Sequence, residues 1–173
     1  VGGLQIIDIA TPAAPRSIGA LNWGEETEDV AVAANANGVF AYLSLASGGL
    51  RIVDVTTPSS PVLRGLLPIP DPFNSPLSSV AVSGNRAYVA QDFYGLAIID
   101  VSNADAPSLL GTYGGRAQSL ALSGGNVYLV GRLGFEIVNP ATPGSPSTVG
   151  AYPGIPFYYQ SQVAVSGQHA FVA

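Results

Sequence analysis

The chain has 173 residues, of which 47% are hydrophobic and 10% charged, and its formal net charge is −5. An acidic chain whose six basic residues are all Arg lacks the clustered positive charge that nucleic-acid binding requires. The sequence contains no Cys, which excludes a disulfide framework or thiol catalyst and argues against a zinc site, and no apolar run long enough for a membrane-spanning helix.

The predicted elements follow one repeating order along the chain. The first segment, GGLQIIDIATPAAPRSIGAL, predicts two strands joined by a Pro-containing corner. From Val30 the sequence predicts four strands in succession, with an alternating strand, a second strand after a tight turn, a third strand GLRIVDV and a fourth strand SPVLRGLL. This four-strand order recurs from Val80 and from Leu120, and two further strands follow near Val163. Alternation of apolar and small residues is typical of half-buried strands.

Short turns separate the first two strands of these units. Gly84-Asn85 and Gly124-Gly125 lie between apolar segments, and two-residue Gly/Asn turns favour hairpins because they adopt positive φ at little cost. No segment shows convincing helical periodicity. Four antiparallel strands repeated about every 40–50 residues are typical of a β-propeller.

The end of each third strand carries the most regular landmark. An apolar triplet is followed by Asp8, Asp54 and Asp100, and by Asn139 in the fourth copy, where Glu136 also interrupts the triplet. The full pattern, GLxIxDxxxPxxPxxxG, resembles the LVIVD repeat family. That resemblance implies a β-propeller, often secreted or on a cell surface, and it supplies no catalytic residues.

We therefore expect an all-β fold: a β-propeller built of four-stranded antiparallel blades, with four blade equivalents in this chain. The prediction is a single domain over residues 1–173. Its repeat units are approximately residues 1–29 completed by 161–173, 30–79, 80–119 and 120–160.

The first and last segments supply complementary halves of one unit. Pairing them would hide two open sheet edges and close a four-bladed ring. One alternative is a homodimer that completes an eight-bladed ring, and another is a piece of a longer array.

The recurring Asp8, Asp54 and Asp100 favour a structural interpretation over a metal or substrate site. Each precedes Thr or Ser and then a Pro-containing corner, where a short carboxylate can accept hydrogen bonds from backbone N–H groups. The repeated prolines shape the same corner.

Variable loops supply the candidate binding residues. The connections from fourth to first strands and from second to third strands emerge on one face of a propeller, and loops on a rigid scaffold commonly bind partners. The residues on this face combine acids, arginines and aromatics, which favours recognition of a protein or glycan. They are Trp23, Glu25, Glu28, Asp29, Asp92, Phe93, Arg116, Arg132, Tyr158 and Tyr159.

Evidence for catalysis or a cofactor is weaker. A hydrolase acting on carbohydrate or ester would need paired carboxylates, for which Glu28, Asp29 and Asp92 are the candidates. The acidic GEETED loop suggests Ca²⁺, but it lacks an EF-hand pattern, so no cofactor is expected. The single His, His169, occupies a surface position in the repeat. We therefore predict a non-catalytic binding or scaffolding module, secreted or at the cell surface, with a self-assembling structural module as another alternative.

Overall fold

The structure is a computed structural model that describes residues 2–69, 77–132, 134–154 and 161–173. Within these ranges the chain forms only strands, turns and irregular connections. No helix that could cross a membrane is found there. The predicted all-β character is therefore confirmed.

The strands form five antiparallel sheets, each made of consecutive segments of the chain. Sheet I contains β1 (Gly3–Asp8) and β2 (Arg16–Asn22). Sheet II contains β3 (Thr27–Asn35), β4 (Gly38–Leu45), β5 (Gly49–Asp54) and β6 (Val62–Pro68). Sheet III contains β7 (Leu77–Ser83), β8 (Arg86–Gln91), β9 (Gly95–Asp100) and β10 (Ser108–Tyr113). Sheet IV contains β11 (Ser119–Ser123), β12 (Asn126–Gly131), β13 (Gly134–Asn139) and β14 (Ser147–Tyr152), and sheet V contains β15 (Val163–Ser166) and β16 (His169–Val172).

Sheets II, III and IV are the predicted four-stranded antiparallel units. Sheets I and V are separate two-stranded sheets in this chain, and the described strands β1 and β16 are not paired with each other. Completion of unit 1–29 by residues 161–173, and the number of blades in a closed ring, therefore stay predictions.

The predicted tight turns are confirmed, and bulges that were not predicted shape sheets I to IV. Gly84 and Gly124 have φ of 58° and 56° in the predicted two-residue turns, a backbone conformation that Gly adopts without a Cβ clash. In the fourth strand of a sheet the register shifts next to a recurring Gly, for example between Leu109 and Gly111 on β10. A bulge at this place bends the outer strand and increases its twist.

The hydrophobic core lies between neighbouring sheets. Successive side chains of a strand point to opposite faces, so β4 sends Tyr42 toward sheet III and Leu43 toward sheet I. In the same way β8 sends Val89 toward sheet II and Tyr88 toward sheet IV. Sheet III is thus apolar on both faces and buries each face against a different neighbour.

The recurring carboxylates stabilise the corners between third and fourth strands. Asp8 Oδ1 accepts the N–H of Ala10 at 3.0 Å, and Asp54 Oδ1 accepts that of Thr56 at 3.0 Å. The corresponding bonds in the next two copies run from Ser102 N–H to Asp100 Oδ1 at 2.8 Å and from Ala141 N–H to Asn139 Oδ1 at 2.9 Å. The structural interpretation of these residues is confirmed, and Asn139 retains the role because its amide oxygen accepts the same bond.

Candidate binding surface

The variable connections meet at one edge of the stacked sheets, which we call the loop face. It comprises the β2–β3, β4–β5, β8–β9, β10–β11 and β12–β13 connections. Backbone hydrogen bonds hold these connections in place, since Ala46 N–H donates to Glu26 O of the neighbouring connection at 3.0 Å and Gln118 N–H donates to Val130 O on β12 at 2.8 Å. These bonds place the loops on a continuous scaffold.

Four of the predicted residues form one cluster on the loop face, the Phe93 cluster (Asp92, Phe93, Arg116 and Arg132). The Cζ atom of Arg116 lies 4.5 Å from the centroid of the Phe93 ring, and that of Arg132 lies 5.7 Å from it. Phe93 nevertheless remains 42% exposed. Two guanidinium groups therefore flank an aromatic ring that solvent can still reach.

The charges in this cluster are unevenly compensated. Arg132 Nη2 lies 3.7 Å from Asp92 Oδ2, whereas no ion pair to Arg116 occurs within the described residues. Asp92 Oδ1 and the adjacent Gln91 Nε2 are buried and find no hydrogen-bond partner within the same part of the chain. A planar guanidinium beside an exposed ring can bind a carboxylate while the ring packs against apolar groups.

Trp23 lies in a second cluster on the loop face, where it packs against sheet II. Its ring is in the apolar group that includes Leu43 and Val53, and Arg51 Cζ lies 5.3 Å from the ring centroid. Glu25 connects this cluster to the β4–β5 turn, accepting hydrogen bonds from Ser47 Oγ at 2.6 Å and from Arg51 Nη2 at 3.4 Å. Trp23 and Glu25 therefore stabilise the loop scaffold in this structure.

The acids of the GEETED loop have separate environments. Asp29 Oδ2 accepts hydrogen bonds from Val80 N–H at 2.9 Å and from Ser79 Oγ at 3.1 Å. These bonds link β3 of sheet II to β7 of sheet III. Glu28 is exposed, beside an open groove of about 440 Å³. The structure thus gives Asp29 a bridging role between sheets.

The candidate hydrolase carboxylates are not brought into one described cluster. Asp29 bonds to sheet III and Asp92 lies beside Arg132. Within the described ranges, no group of three or more His, Cys, Asp or Glu residues could hold a metal ion. The predicted binding residues Tyr158 and Tyr159 lie outside the described residues.

Two polar groups within strands were not predicted from the sequence. Arg51 lies on β5 and organises the Trp23 cluster, while Glu136 on β13 accepts a hydrogen bond from Tyr113 Oη at 3.2 Å. Burial raises the pKa of Tyr113, and the nearby Glu136 carboxylate raises it further. Alignment of the repeats could have singled out these two residues. Arg51 and Glu136 are charged at a third-strand position where the other copies have Gln5 and Ala97.

A cavity of about 260 Å³ lies at the edge opposite the loop face, between sheets III and IV. Its lining includes Tyr88, the Gly124-Gly125 turn and Pro140. None of the predicted site residues lines this cavity.

Consecutive four-stranded antiparallel sheets that pack face to face define a β-propeller-type repeat protein. The chain belongs to the LVIVD repeat family, whose model matches residues 25–67, 77–113 and 114–153, together more than half of the sequence. This match confirms the resemblance inferred from the repeat pattern. None of the curated protein sequences matches the chain.

Solved structures support the fold. A functionally unknown protein from Desulfotomaculum acetoxidans DSM 771 superposes with a TM-score of 0.74 at 12% identity, and the match covers 99% of this chain and 56% of that protein. The chain thus spans little more than half the length of that protein. The computationally designed Ika4 protein superposes with a TM-score of 0.63 at 12% identity, and the match covers 88% of this chain and 92% of that protein. BamB from Moraxella catarrhalis superposes with a TM-score of 0.65 at 18% identity, and the match covers 91% of this chain and 46% of BamB.

Proposed function

We propose that this chain is a non-catalytic recognition module, secreted or exposed at the cell surface, which binds a partner through its loop face. The observation that carries the proposal is the contact of Arg116 with the exposed ring of Phe93, 4.5 Å from guanidinium carbon to ring centroid. Phe and Arg are enriched at protein interfaces, and Arg is among the residues that contribute most of the binding energy there. The acidic, Lys-free composition of the chain supports the proposed extracellular setting.

A protein partner that carries acidic side chains fits this site best. Arg116 offers a guanidinium fork for a carboxylate, and Phe93 offers an apolar surface next to it. The neighbouring Arg132 reinforces the positive potential, although Asp92 partly compensates it. A glycan with carboxylate groups is the competing ligand, and the experiment below distinguishes the two.

The test uses the 173-residue chain with arrays of acidic peptides, basic peptides and acidic or neutral glycans. We expect retention on acidic peptides, reduced at least tenfold by Phe93→Ala and by Arg116→Ala. Arg64→Ala is the matched control, because Arg64 pairs with Asp105 at 2.7 Å away from the loop face. Selective retention on glycans would reassign the ligand class. Absence of binding, or equal binding by Arg116→Ala, would overturn the proposal.

A further inference from the structure

The cavity between sheets III and IV has the dimensions of a site for a small molecule. Sheet III contributes Ser83 and Tyr88 to its wall, and the β11–β12 hairpin and Pro140 of sheet IV contribute the rest. Its volume of about 260 Å³ is far larger than the roughly 30 Å³ of a water molecule in the liquid. It lies just below the roughly 300–1,000 Å³ of pockets for drug-sized ligands. A molecule about as large as a monosaccharide therefore fits this space.

The polar side chains in the wall of this cavity have no partners in the protein. Tyr88 is 6% exposed, yet its hydroxyl forms no hydrogen bond with any described residue. The same is true of the hydroxyls of Ser83 and Ser123 and of the Asn126 carboxamide. Polar groups of largely buried side chains are usually paired. The wall thus offers hydrogen-bonding groups that the described part of the chain leaves unused.

A smaller groove between sheets II and III shows that an open site need not have such groups. That groove, of about 220 Å³, is lined in part by Asn35, Arg64 and Asn103. Asn35 Oδ1 accepts the N–H of Asn37 at 2.8 Å. Arg64 Nη2 donates to Asp105 Oδ2 at 2.7 Å, and Asn103 Oδ1 accepts the Asp105 N–H at 3.1 Å. These three side chains are therefore paired within the protein, in contrast to those between sheets III and IV.

The sequence of sheet IV also leaves a backbone acceptor unpaired at the cavity. In sheet III the N–H of Val101 donates to Asn85 O at 2.9 Å, and sheet II has the equivalent bond. The corresponding residues of sheet IV are Pro140 and Gly125. Because Pro has no N–H, Gly125 O receives no backbone hydrogen bond from the described residues. Gly125 also lacks the side chain that Asn85 carries at this point of the turn, which leaves the space open.

The charge of the wall indicates the class of ligand. No charged side chain lines the cavity. Arg86 lies beside it, but its Nη1 donates to Pro140 O at 3.1 Å and the strand register places Asp100 opposite it. Hydroxyl groups donate and accept, a carboxamide does both, and a carbonyl oxygen accepts. Such an uncharged mixture complements a molecule whose own groups are mostly hydroxyls.

We propose that this cavity binds a neutral polyhydroxylated molecule of monosaccharide size, either a free sugar or the terminal sugar of a glycan. Gly125 O accepts a hydrogen bond from a ligand hydroxyl, as Asn85 O accepts one from Val101 in sheet III. Tyr88 Oη and the neighbouring hydroxyls bond to the remaining groups of the sugar. The cavity lies opposite the loop face, so this inference is independent of the loop-face proposal.

The first test titrates the isotopically labelled 173-residue chain with glucose, galactose, mannose and N-acetylglucosamine. Two-dimensional NMR follows the backbone amide signals of Gly124, Gly125 and Asn126. We expect saturable shifts of these signals with at least one sugar. Oligosaccharides that end in the same sugar separate the two sources, because tighter binding than that of the free sugar identifies a glycan end as the ligand. Absence of saturable shifts with every sugar, or selective shifts with acetate or phosphate instead, would overturn the proposal.

The second test compares binding by variants of the cavity wall. Gly125→Asn introduces the residue of sheet III, and the fold should accept it because Asn tolerates the φ of 79° and a Cβ there meets nothing within 4 Å. We expect about tenfold weaker binding, since the added side chain occupies the space of the ligand. Tyr88→Phe should weaken binding by about threefold through loss of one hydrogen bond.

Gly167→Asn is the matched control for the variant at Gly125. It lies in the corresponding turn of sheet V, with a φ of 58° and open space around it. We expect this variant to bind the sugar as the parent does. Equal binding by the parent and by the folded Gly125→Asn variant would overturn the proposal.

Discussion

Gly111 of sheet III lies directly against the backbone of Pro143 in the corner of sheet IV, where a Cβ atom would overlap the Pro143 carbonyl oxygen. The same relationship joins Gly65 to the corner of sheet III. The glycine of the repeat motif is therefore required by the close approach of one sheet to the next rather than by its own φ angle, which is not positive at Gly111.

Replacement of this glycine should destabilise the fold. We expect Gly111→Ala to lower the free energy of unfolding by about 1–3 kcal/mol, because the added methyl group forces the Pro143 corner away. Urea denaturation followed by circular dichroism measures the change. Gly114→Ala is the control, since a Cβ there meets nothing within 4 Å. Equal stability of the two variants would contradict the packing role.

Removal of the Asp29 carboxylate should weaken the contact between sheets II and III. The N–H of the buried residue Val80 donates to this carboxylate. Asp29→Ala therefore leaves the Val80 N–H without that acceptor. We expect a loss of about 1.5–3 kcal/mol in unfolding free energy. Asp29→Asn should retain much of the stability through its amide oxygen, and Glu26→Ala should have little effect. If Asp29 had a catalytic role and no bridging role, the Asp29→Ala variant would be as stable as the parent.

The corner residues Asp54 and Asp100 should make the stability of the fold depend on pH in the acid range. The hydroxyl and backbone N–H of Thr56 lower the pKa of Asp54, and the backbone N–H and then the hydroxyl of Ser102 lower the pKa of Asp100 below the ordinary 3.8. The folded chain therefore binds fewer protons than the unfolded chain near that pH, and the stabilisation present above it is lost as pH falls through the lowered values.

Thermal unfolding between pH 7 and pH 2 measures this dependence, with the double variant Asp54→Asn, Asp100→Asn as the comparison. Asn139 shows that an amide keeps the corner hydrogen bond. We expect the variant to melt near the parent at neutral pH and to lose less stability below about pH 4. Identical acid profiles for the two proteins would show that other carboxylates control the transition.

Arg51 should control the environment of Trp23, the single Trp of the chain. Its guanidinium carbon lies 5.3 Å from the ring centroid, so Arg51→Ala uncovers part of the ring and should shift the fluorescence emission to longer wavelength. Arg64→Ala, which changes an exposed ion pair elsewhere, should leave the spectrum unchanged. An unshifted spectrum for Arg51→Ala would contradict the stacking.

The strands, turns and corners could be predicted because they depend on local sequence. Period-two alternation identifies strands, and Gly124-Gly125 identifies a turn whichever sheet it belongs to. The sequence placed the residues of the Phe93 cluster on one face but did not predict that they touch. Contact between Phe93 and Arg116 depends on how two neighbouring sheets stack. Arg51 was missed for the same reason, since its partners Trp23 and Glu25 come from a different connection.

Every complete sheet described above is formed by strands that follow one another directly along the chain. A growing polypeptide can therefore finish sheet II before the residues of sheet III have been synthesised, and no strand from β3 to β14 has to wait for a distant partner. Such nearest-neighbour pairing lowers the contact order, which favours faster folding than is usual for all-β proteins. Gain or loss of one whole repeat during evolution would likewise leave every remaining hairpin intact.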